Sequence, residues 1–376
     1  MKSAIVTGAN GFVGSAVVRE LLAHDICVCA VVHNDHRNNL PEHPALLVVS
    51  CDLDRMKELP DLIKKDEFEV FYHFAWAGVS WPFRGEPLVQ LNNAVYSIDS
   101  LRSAKRLGCG RFIFAGSIME KESYANTAED IRSGLGYVYG GGKLAAHAIC
   151  KCVASNEEID FICASITNTY GPGEVSSRLV NAAIQKCIRG EAPQFTAGTQ
   201  NYDFVYIDDV ARAFRLIGEE GKPFHEYLIG SSHARPLKEF LLEMQAAIAP
   251  ELEFRFGDVP FTGVDLPLEK FDCSQTEADT GFRAEISFSE GCKKTFDWWR
   301  KQIKMNGGMN MSSIRERERE RERRGPDGIP RRPLFQRDVY PKQRVRLHRR
   351  DHGGRSTSRR TADHRDKLSA LKGGDW

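Results

Sequence analysis

No apolar stretch in these 376 residues approaches the roughly 20 needed to cross a bilayer, and the chain runs from Met1 straight into a short apolar segment without a charged-then-apolar leader. The expectation is a cytoplasmic protein with no membrane partner. Net charge is scarce too: the formal balance is +1. That balance hides an asymmetry, because residues 306–376 carry 20 Lys and Arg against 10 Asp and Glu, which leaves residues 1–305 nine charges negative. An acidic body offers no electrostatic footprint for nucleic acid, so a nucleic-acid partner is not expected unless the tail recruits it. Metal-type cysteine spacing is missing as well. All ten cysteines lie between Cys27 and Cys292, and Cys27/Cys29 and Cys150/Cys152 have one-residue gaps that suit neither a zinc site nor a redox Cys-x-x-Cys. They read as reduced, small, buried hydrophobes, and no metal is expected.

What is present is alternation. Short apolar runs at Ser3–Val6, Val28–Val32, Ala45–Val49, Val70–Phe74, Arg111–Ala115 and Phe161–Ile166 are separated by stretches of helical period such as Val13–Ala23 and Asn92–Leu107. Repeated strand–helix units predict an α/β fold with a doubly wound parallel sheet, whose ligand site lies at the carboxyl ends of the strands. Residues 1–171, rejoined by 201–235, form the expected dinucleotide-binding domain. Residues 172–200 and 236–304 form a smaller C-terminal substrate lobe, with a strand expected over Tyr202–Ile207 and a closing helix over Gly291–Ile303. From residue 305 the chain becomes a low-complexity basic tail with a strict Arg-Glu alternation from Arg315 to Arg323. Too poor in aliphatic residues to offset its ordering entropy, it is expected to be disordered. A repeated AG dinucleotide would encode the same alternation, so an out-of-frame or fusion segment is the alternative origin.

The chemistry starts at Gly8-Ala9-Asn10-Gly11-Phe12-Val13-Gly14, which follows an apolar strand and opens an amphipathic helix. Glycines there allow a sharp turn and close approach of backbone N–H groups to a pyrophosphate, while the helix N-terminus favours the anion. An acidic residue at the end of the second strand would pair with an adenosine ribose and mark NAD. Val32 and His33 hold that place, with Arg37 beyond, which inclines the reading toward NADP with NAD as the alternative. Asp52 is a candidate for the adenine edge, or else a cap for the helix that follows.

Tyr139 and Lys143 are four residues apart, on one helix face, where a cation favours phenolate and lets the tyrosine serve as general acid or base. Ser117, at the end of a strand, would hydrogen-bond the substrate oxygen. Gly140, Gly141 and Gly142 lie between Tyr139 and Lys143, and three glycines in a helix cost about 1 kcal/mol each relative to alanine, so a loosened helix is expected.

At these residues the chain resembles the extended short-chain dehydrogenase/reductases, specifically the nucleotide-sugar epimerase/dehydratase group, over roughly residues 1–303. Thr7–Gly14 resembles the family's cofactor loop, and Asp52-Leu53 its adenine-side pair. His73-Phe74-Ala75-Trp76-Ala77 and Asn92-Asn93 are similar to the segments beside the cofactor, and Phe112–Ser117 with Tyr139/Lys143 to the catalytic set. Asn168–Gly173 and Tyr202–Val210 resemble two further signatures. The resemblance implies cofactor contacts from Gly8, Asn10, Gly11, Phe12, Val13, Gly14, His33, Arg37, Asp52 and Leu53, and from Phe74, Ala75, Trp76, Asn93, Tyr139, Lys143 and Ile166. It implies substrate contacts from Trp76, Ser117, Ile118, Asn168, Arg178, Tyr202 and Arg235. Tyr202 and Ser165 replace arginines common in the family, leaving Arg178, Arg189 and Arg235 as candidates for the substrate diphosphate.

The family's 4,6-dehydratases carry an Asp-Glu pair directly after the catalytic Ser/Thr. Here Ile118-Met119 follows Ser117, so dehydration is not expected. A nucleotide-sugar epimerase or a 4-ketoreductase remains, with the missing ribose carboxylate favouring the reductase. A non-catalytic dinucleotide sensor is the alternative. The resemblance also implies a homodimer through the helices near Asn92–Leu107 and Tyr139–Ala154.

Overall fold

The structure is a computed structural model that describes residues 1–33, 39–63, 68–128 and 134–305. The expectations for Arg37 and for the tail beyond Met305 lie outside the described residues. The strands are β1 (Ser3–Thr7), β2 (Cys27–Val32), β3 (Leu46–Ser50), β4 (Val70–His73), β5 (Arg111–Ser117), β6 (Asp160–Ile166), β7 (Asn168–Tyr170), β8 (Gln194–Phe195), β9 (Asn201–Tyr202), β10 (Phe204–Tyr206), β11 (Glu226–Ile229), β12 (Arg235–Pro236) and β13 (Arg255–Phe256). The helices are α1 (Phe12–Ala23), α2 (Leu59–Leu62), α3 (Pro87–Arg106), α4 (Ile118–Ala128), α5 (Val138–Asn156), α6 (Leu179–Ile188), α7 (Ile207–Glu220), α8 (Leu237–Ile248), α9 (Ser274–Thr280) and α10 (Phe288–Met305).

Seven strands form one parallel sheet in the order β11-β6-β5-β4-β1-β2-β3. Both faces are covered. Ala4 and Val6 join one buried cluster with α1 and α7, while Ile5 between them joins a second with α3 and α5. Two-sided burial explains why these strands read as continuous apolar runs rather than alternating ones. The strand order reverses between β1 and β4, which opens a crevice at their carboxyl ends, the ordinary ligand position in such sheets. All ten cysteines are free thiols, and eight of them are buried.

Two expectations change. The strand predicted over Tyr202–Ile207 is broken at Asp203, which is 0% exposed and accepts hydrogen bonds from the Thr167 hydroxyl, the Ser231 hydroxyl and the Ser231 N–H. A buried carboxylate must be hydrogen-bonded, and satisfying it takes the chain out of the ladder. The loosening expected from the three glycines is also not seen, since α5 runs unbroken from Val138 to Asn156. A Cβ at Gly140 would come within 2.2 Å of Met119 O and Ser123 Oγ on α4, and one at Gly142 within 2.9 Å of Gln90 on α3. Those glycines let three helices approach, and the packing offsets their low propensity.

Candidate active site

The loop after β1 is built by contact. Gly8 has φ +64, and a Cβ there would stand 2.7 Å from Ala75 N; one at Gly14 would stand 2.2 Å from Gly8 O. The first turn of α1, with Gly11 at its N-cap, has no side-chain cap, so no side chain occupies the positive end of the helix. Phe12 and Val13 are half-buried against the core, and Asn10 is tied to Asn39, accepting from its N–H at 3.0 Å and its side-chain amide at 2.9 Å. A close-walled backbone cradle at an uncapped helix start fits a pyrophosphate, so these residues suit a dinucleotide.

At the adenosine end, His33 Nδ1 lies 2.6 Å from Asp52 Oδ1. Asp52 therefore bridges to β2 and makes no capping bond to the turn at Leu53–Glu58, and the Leu53 side chain packs against the core. Behind the other rim, Thr7 Oγ1 meets His73 Nδ1 at 3.0 Å, and His73 Nε2 meets Ser97 Oγ at 3.1 Å. Burial, with the charge of Lys143, pushes His73 down to about 3, so the ring is a neutral strut. Asn93 accepts from Ala77 N at 2.8 Å and donates to Ala77 O at 2.9 Å. Its side chain, expected to contact the cofactor, braces the loop after β4 in this structure. Phe74 packs edge-on against Phe214, Ala75 meets the glycine loop, and Trp76 Nε1 donates to Gln90 Oε1 at 2.8 Å.

The structure brings Ser117 and Tyr139 near one another: the phenol is buried, which raises its proton affinity, and the serine hydroxyl is close enough to oppose that rise. Ser117 is fixed from below, its N–H donating to Glu120 Oε1 at 2.9 Å. Glu120 is itself buried, and its other oxygen lies 2.9 Å from His147 Nδ1, with Cys163 near enough to complete a three-ligand cluster. Hydrogen bonds to Ser117, His147 and Ser165 already occupy this cluster. The Lys143 ammonium donates to Ala115 O at 2.9 Å and lies 3.7 Å over the Trp76 ring, where burial pulls it down to about 7, partly opposed by Glu120.

Around the substrate face, Ile118 is turned into a small apolar cluster with Leu228, Leu266 and Phe271, so its side chain cannot meet a sugar as expected. Ile166 is half-buried against the core. Asn168 donates to Asp203 O at 3.1 Å, and Tyr202, half-buried, stacks on Phe204. Arg178 is exposed, 3.6 Å from Glu174, and its charge acts on Tyr139. Arg235 is paired with Glu243 and lies over the Phe240 ring, and Arg189 is paired with Glu191 at the surface; neither is a free cation. Two residues escaped the sequence reading. Arg84 stacks its guanidinium 4.0 Å over the Tyr139 ring, and Glu122, half-buried on α4, is pushed up to about 7 by burial while Arg84 pulls it back. No motif marks either residue, because neither lies at a fixed spacing from the tyrosine.

Residues 4–230 match the model of the NAD dependent epimerase/dehydratase family. The chain belongs to that family. Within it, the chain is 24% identical over 320 residues to a trifunctional UDP-glucose 4,6-dehydratase/UDP-4-keto-6-deoxy-D-glucose 3,5-epimerase/UDP-4-keto-L-rhamnose-reductase of Arabidopsis thaliana. The alignment covers 79% of this chain and 47% of the plant protein, so the chain spans about half the length of that relative. Among solved structures, the fold superposes on the UDP-glucose 4-epimerase of Thermotoga maritima with UDP-glucose at a TM-score of 0.67 and 21% identity, covering 80% of this chain and 99% of that one. It superposes on the Bordetella bronchiseptica enzyme WbmF with NADH at a TM-score of 0.68 and 20% identity, covering 84% and 95%. A family member with this sheet is Rossmann-like, as expected. Nothing in these likenesses supports the inclination toward NADP. Among the described residues no helix is long and apolar enough to cross a membrane.

Proposed function

We propose that this protein is a nucleotide-sugar 4-epimerase that holds NAD(H) and oxidises and re-reduces one sugar carbon. The observation that carries this reading is the buried Tyr139, packed edge-on against Trp76 of the segment whose Ala75 meets the glycine loop, with the Ser117 hydroxyl lowering its proton affinity. Tyr139 as phenolate takes the proton of the sugar hydroxyl and later returns it, while Ser117 holds the same oxygen. Held by its pyrophosphate at the Gly8–Gly14 loop, NAD(H) would supply the hydride acceptor and donor. His33 and Asp52 would meet the adenosine. The carboxylate that the end of β2 lacks is brought to His33 by Asp52 from the end of β3, and it would repel a 2′-phosphate; this supports NAD over NADP and removes the reason for favouring a ketoreductase. Ile118-Met119 after Ser117 supplies no acid–base pair for dehydration, although the plant relative's name includes that activity. An intact Ser117, Tyr139 and Lys143 set speaks against a purely sensory role.

The test is turnover of UDP-glucose by the purified full chain without added cofactor, with UDP-galactose appearing and NAD(H) recovered from the protein. A stoichiometric need for added NADPH or NADH would replace epimerase by ketoreductase. NADH binding with no turnover across a panel of nucleotide sugars would favour the sensor. Tyr139→Phe is expected to lower turnover about 10²–10⁴-fold while NADH affinity, read by fluorescence titration, is unchanged.

The proposed homodimer rests on α3. Leu88, Leu91 and Val95, at positions i, i+3 and i+7, are all exposed on it, and Ile149 is exposed on α5, against which α3 packs. A second copy meeting the first through these two helices would cover that stripe.

A further inference from the structure

Ser117 and Glu120 close a capping box at the start of α4: Met119 N donates to Ser117 Oγ at 3.2 Å, and Ser117 N donates to Glu120 Oε1 at 2.9 Å. Capping needs one carboxylate oxygen and no burial. Glu120 is nevertheless only 4% exposed, and its second oxygen meets His147 Nδ1 at 2.9 Å. The His147 ring is held in turn by stacking on Phe114 and Phe161, with centroids 6.2 and 5.9 Å away. A buried carboxylate is costly unless opposite charge offsets the lost water, so the fold has to bring a cation near it. Phe114 and Gly116 project to one face of β5, and that face carries the cation. The Phe114 ring centroid lies 4.9 Å from the Lys143 ammonium, while a Cβ on Gly116 would lie 2.9 Å from Glu120 Oε1. Lys143 and His147, four residues apart on α5, reach the same strand face.

We propose that Glu120, locked by Ser117 and His147, is a positioning residue whose buried carboxylate is the counter-charge of the Lys143 ammonium. The proposal rests on Lys143 supporting Tyr139 in the epimerase reading. Burial pulls Lys143 down to about 7, and Glu120 leads the groups that oppose it; the other, Cys163 on β6, is uncharged, since burial holds its thiol well above the ordinary range. His73 on β4, pushed down to about 3 by burial, faces the ammonium as a neutral ring. Trp76 and Ala115 O complete its surroundings without adding charge, and Tyr139 and His147 flank it on α5 itself. Among the described residues no ion pair closes on Lys143, so its charge depends on a carboxylate acting across the dry face of β5. A capping role alone would be served as well by glutamine, whose amide oxygen accepts the same bond; only the charge role requires glutamate.

The test is an NMR titration of the lysine Cε resonances of the full chain, the Lys143 signal being assigned by its loss in Lys143→Met. Glu120→Gln is expected to lower the Lys143 midpoint by about one unit or more, a roughly tenfold loss of proton affinity. An unmoved midpoint in folded Glu120→Gln overturns the proposal. Should Glu120→Gln fail to fold, the double variant with Lys143→Met decides. Removing both charges should recover a cooperative thermal transition, because a lone buried charge costs more than none; a double variant that also fails to fold opposes the proposal. With UDP-glucose as probe, the pH profile of kcat should move to lower pH in Glu120→Gln while KM changes little. Its high-pH fall follows Lys143, and its low-pH rise follows Tyr139, whose proton affinity burial raises and Glu120 raises further, against Arg84, Arg178 and Ser117. A kcat lowered equally at every pH would make Glu120 a structural cap and overturn the proposal. The titration needs no turnover, so it fails or succeeds separately from the epimerase assay.

Discussion

Consecutive glycines in α5 face different surroundings, which sets opposite expectations for the same substitution. Gly141 is exposed, with nothing within 4 Å of the place a methyl group would take, so Gly141→Ala is expected to stabilise the fold by about 0.5–1 kcal/mol through helix propensity. Gly140→Ala would force a methyl into Met119 O and Ser123 Oγ and is expected to destabilise by about 1–3 kcal/mol. Thermal denaturation of both variants checks the pair. The glycine loop, Ser117 and the Tyr139/Lys143 spacing were legible in the sequence because each depends on local backbone demands. Which glycine of the three touches a neighbour was not, because that is decided by helices remote in sequence. Asn93 and Ile118 illustrate the same limit. Both were expected to contact ligands, but neighbouring backbone holds the Asn93 amide and apolar side chains surround Ile118.

Helix α5 carries a buried ammonium, and this gives the fold a pH signature. Lys143 is protonated in the unfolded chain up to its ordinary value near 10.5 but only to about 7 when folded. Between these values the unfolded state binds more protons, so stability rises with pH across that window; below it both states are charged and the full burial penalty stands. Lys143→Met is expected to flatten this rise relative to wild type, read as the difference between urea midpoints measured from pH 6 to pH 9. A difference that is constant with pH would show that Lys143 is not desolvated as described. The elements themselves were mostly legible: α1, predicted over Val13–Ala23, spans Phe12–Ala23. The strand expected over Tyr202–Ile207 was not, because a buried aspartate in an apolar-looking run gives no local sign that three remote groups will hold it.

For the whole molecule, the exposed stripe on α3 predicts association. Leu91→Glu combined with Val95→Glu is expected to convert a dimer to a monomer in light scattering, with the fold intact by circular dichroism; a wild-type monomer would end the homodimer reading. The amino-acid sequence by itself determined the parallel sheet, the glycine loop between β1 and α1 and the family, because periodicity and glycine spacing are written locally. Only the tertiary structure decided where charge stands. Asp52 reaches across from β3 to His33, and Arg84 lies over the Tyr139 ring. Electrostatic effects depend on distance and burial, and residues brought together from separate loops acquire both only when the chain has folded.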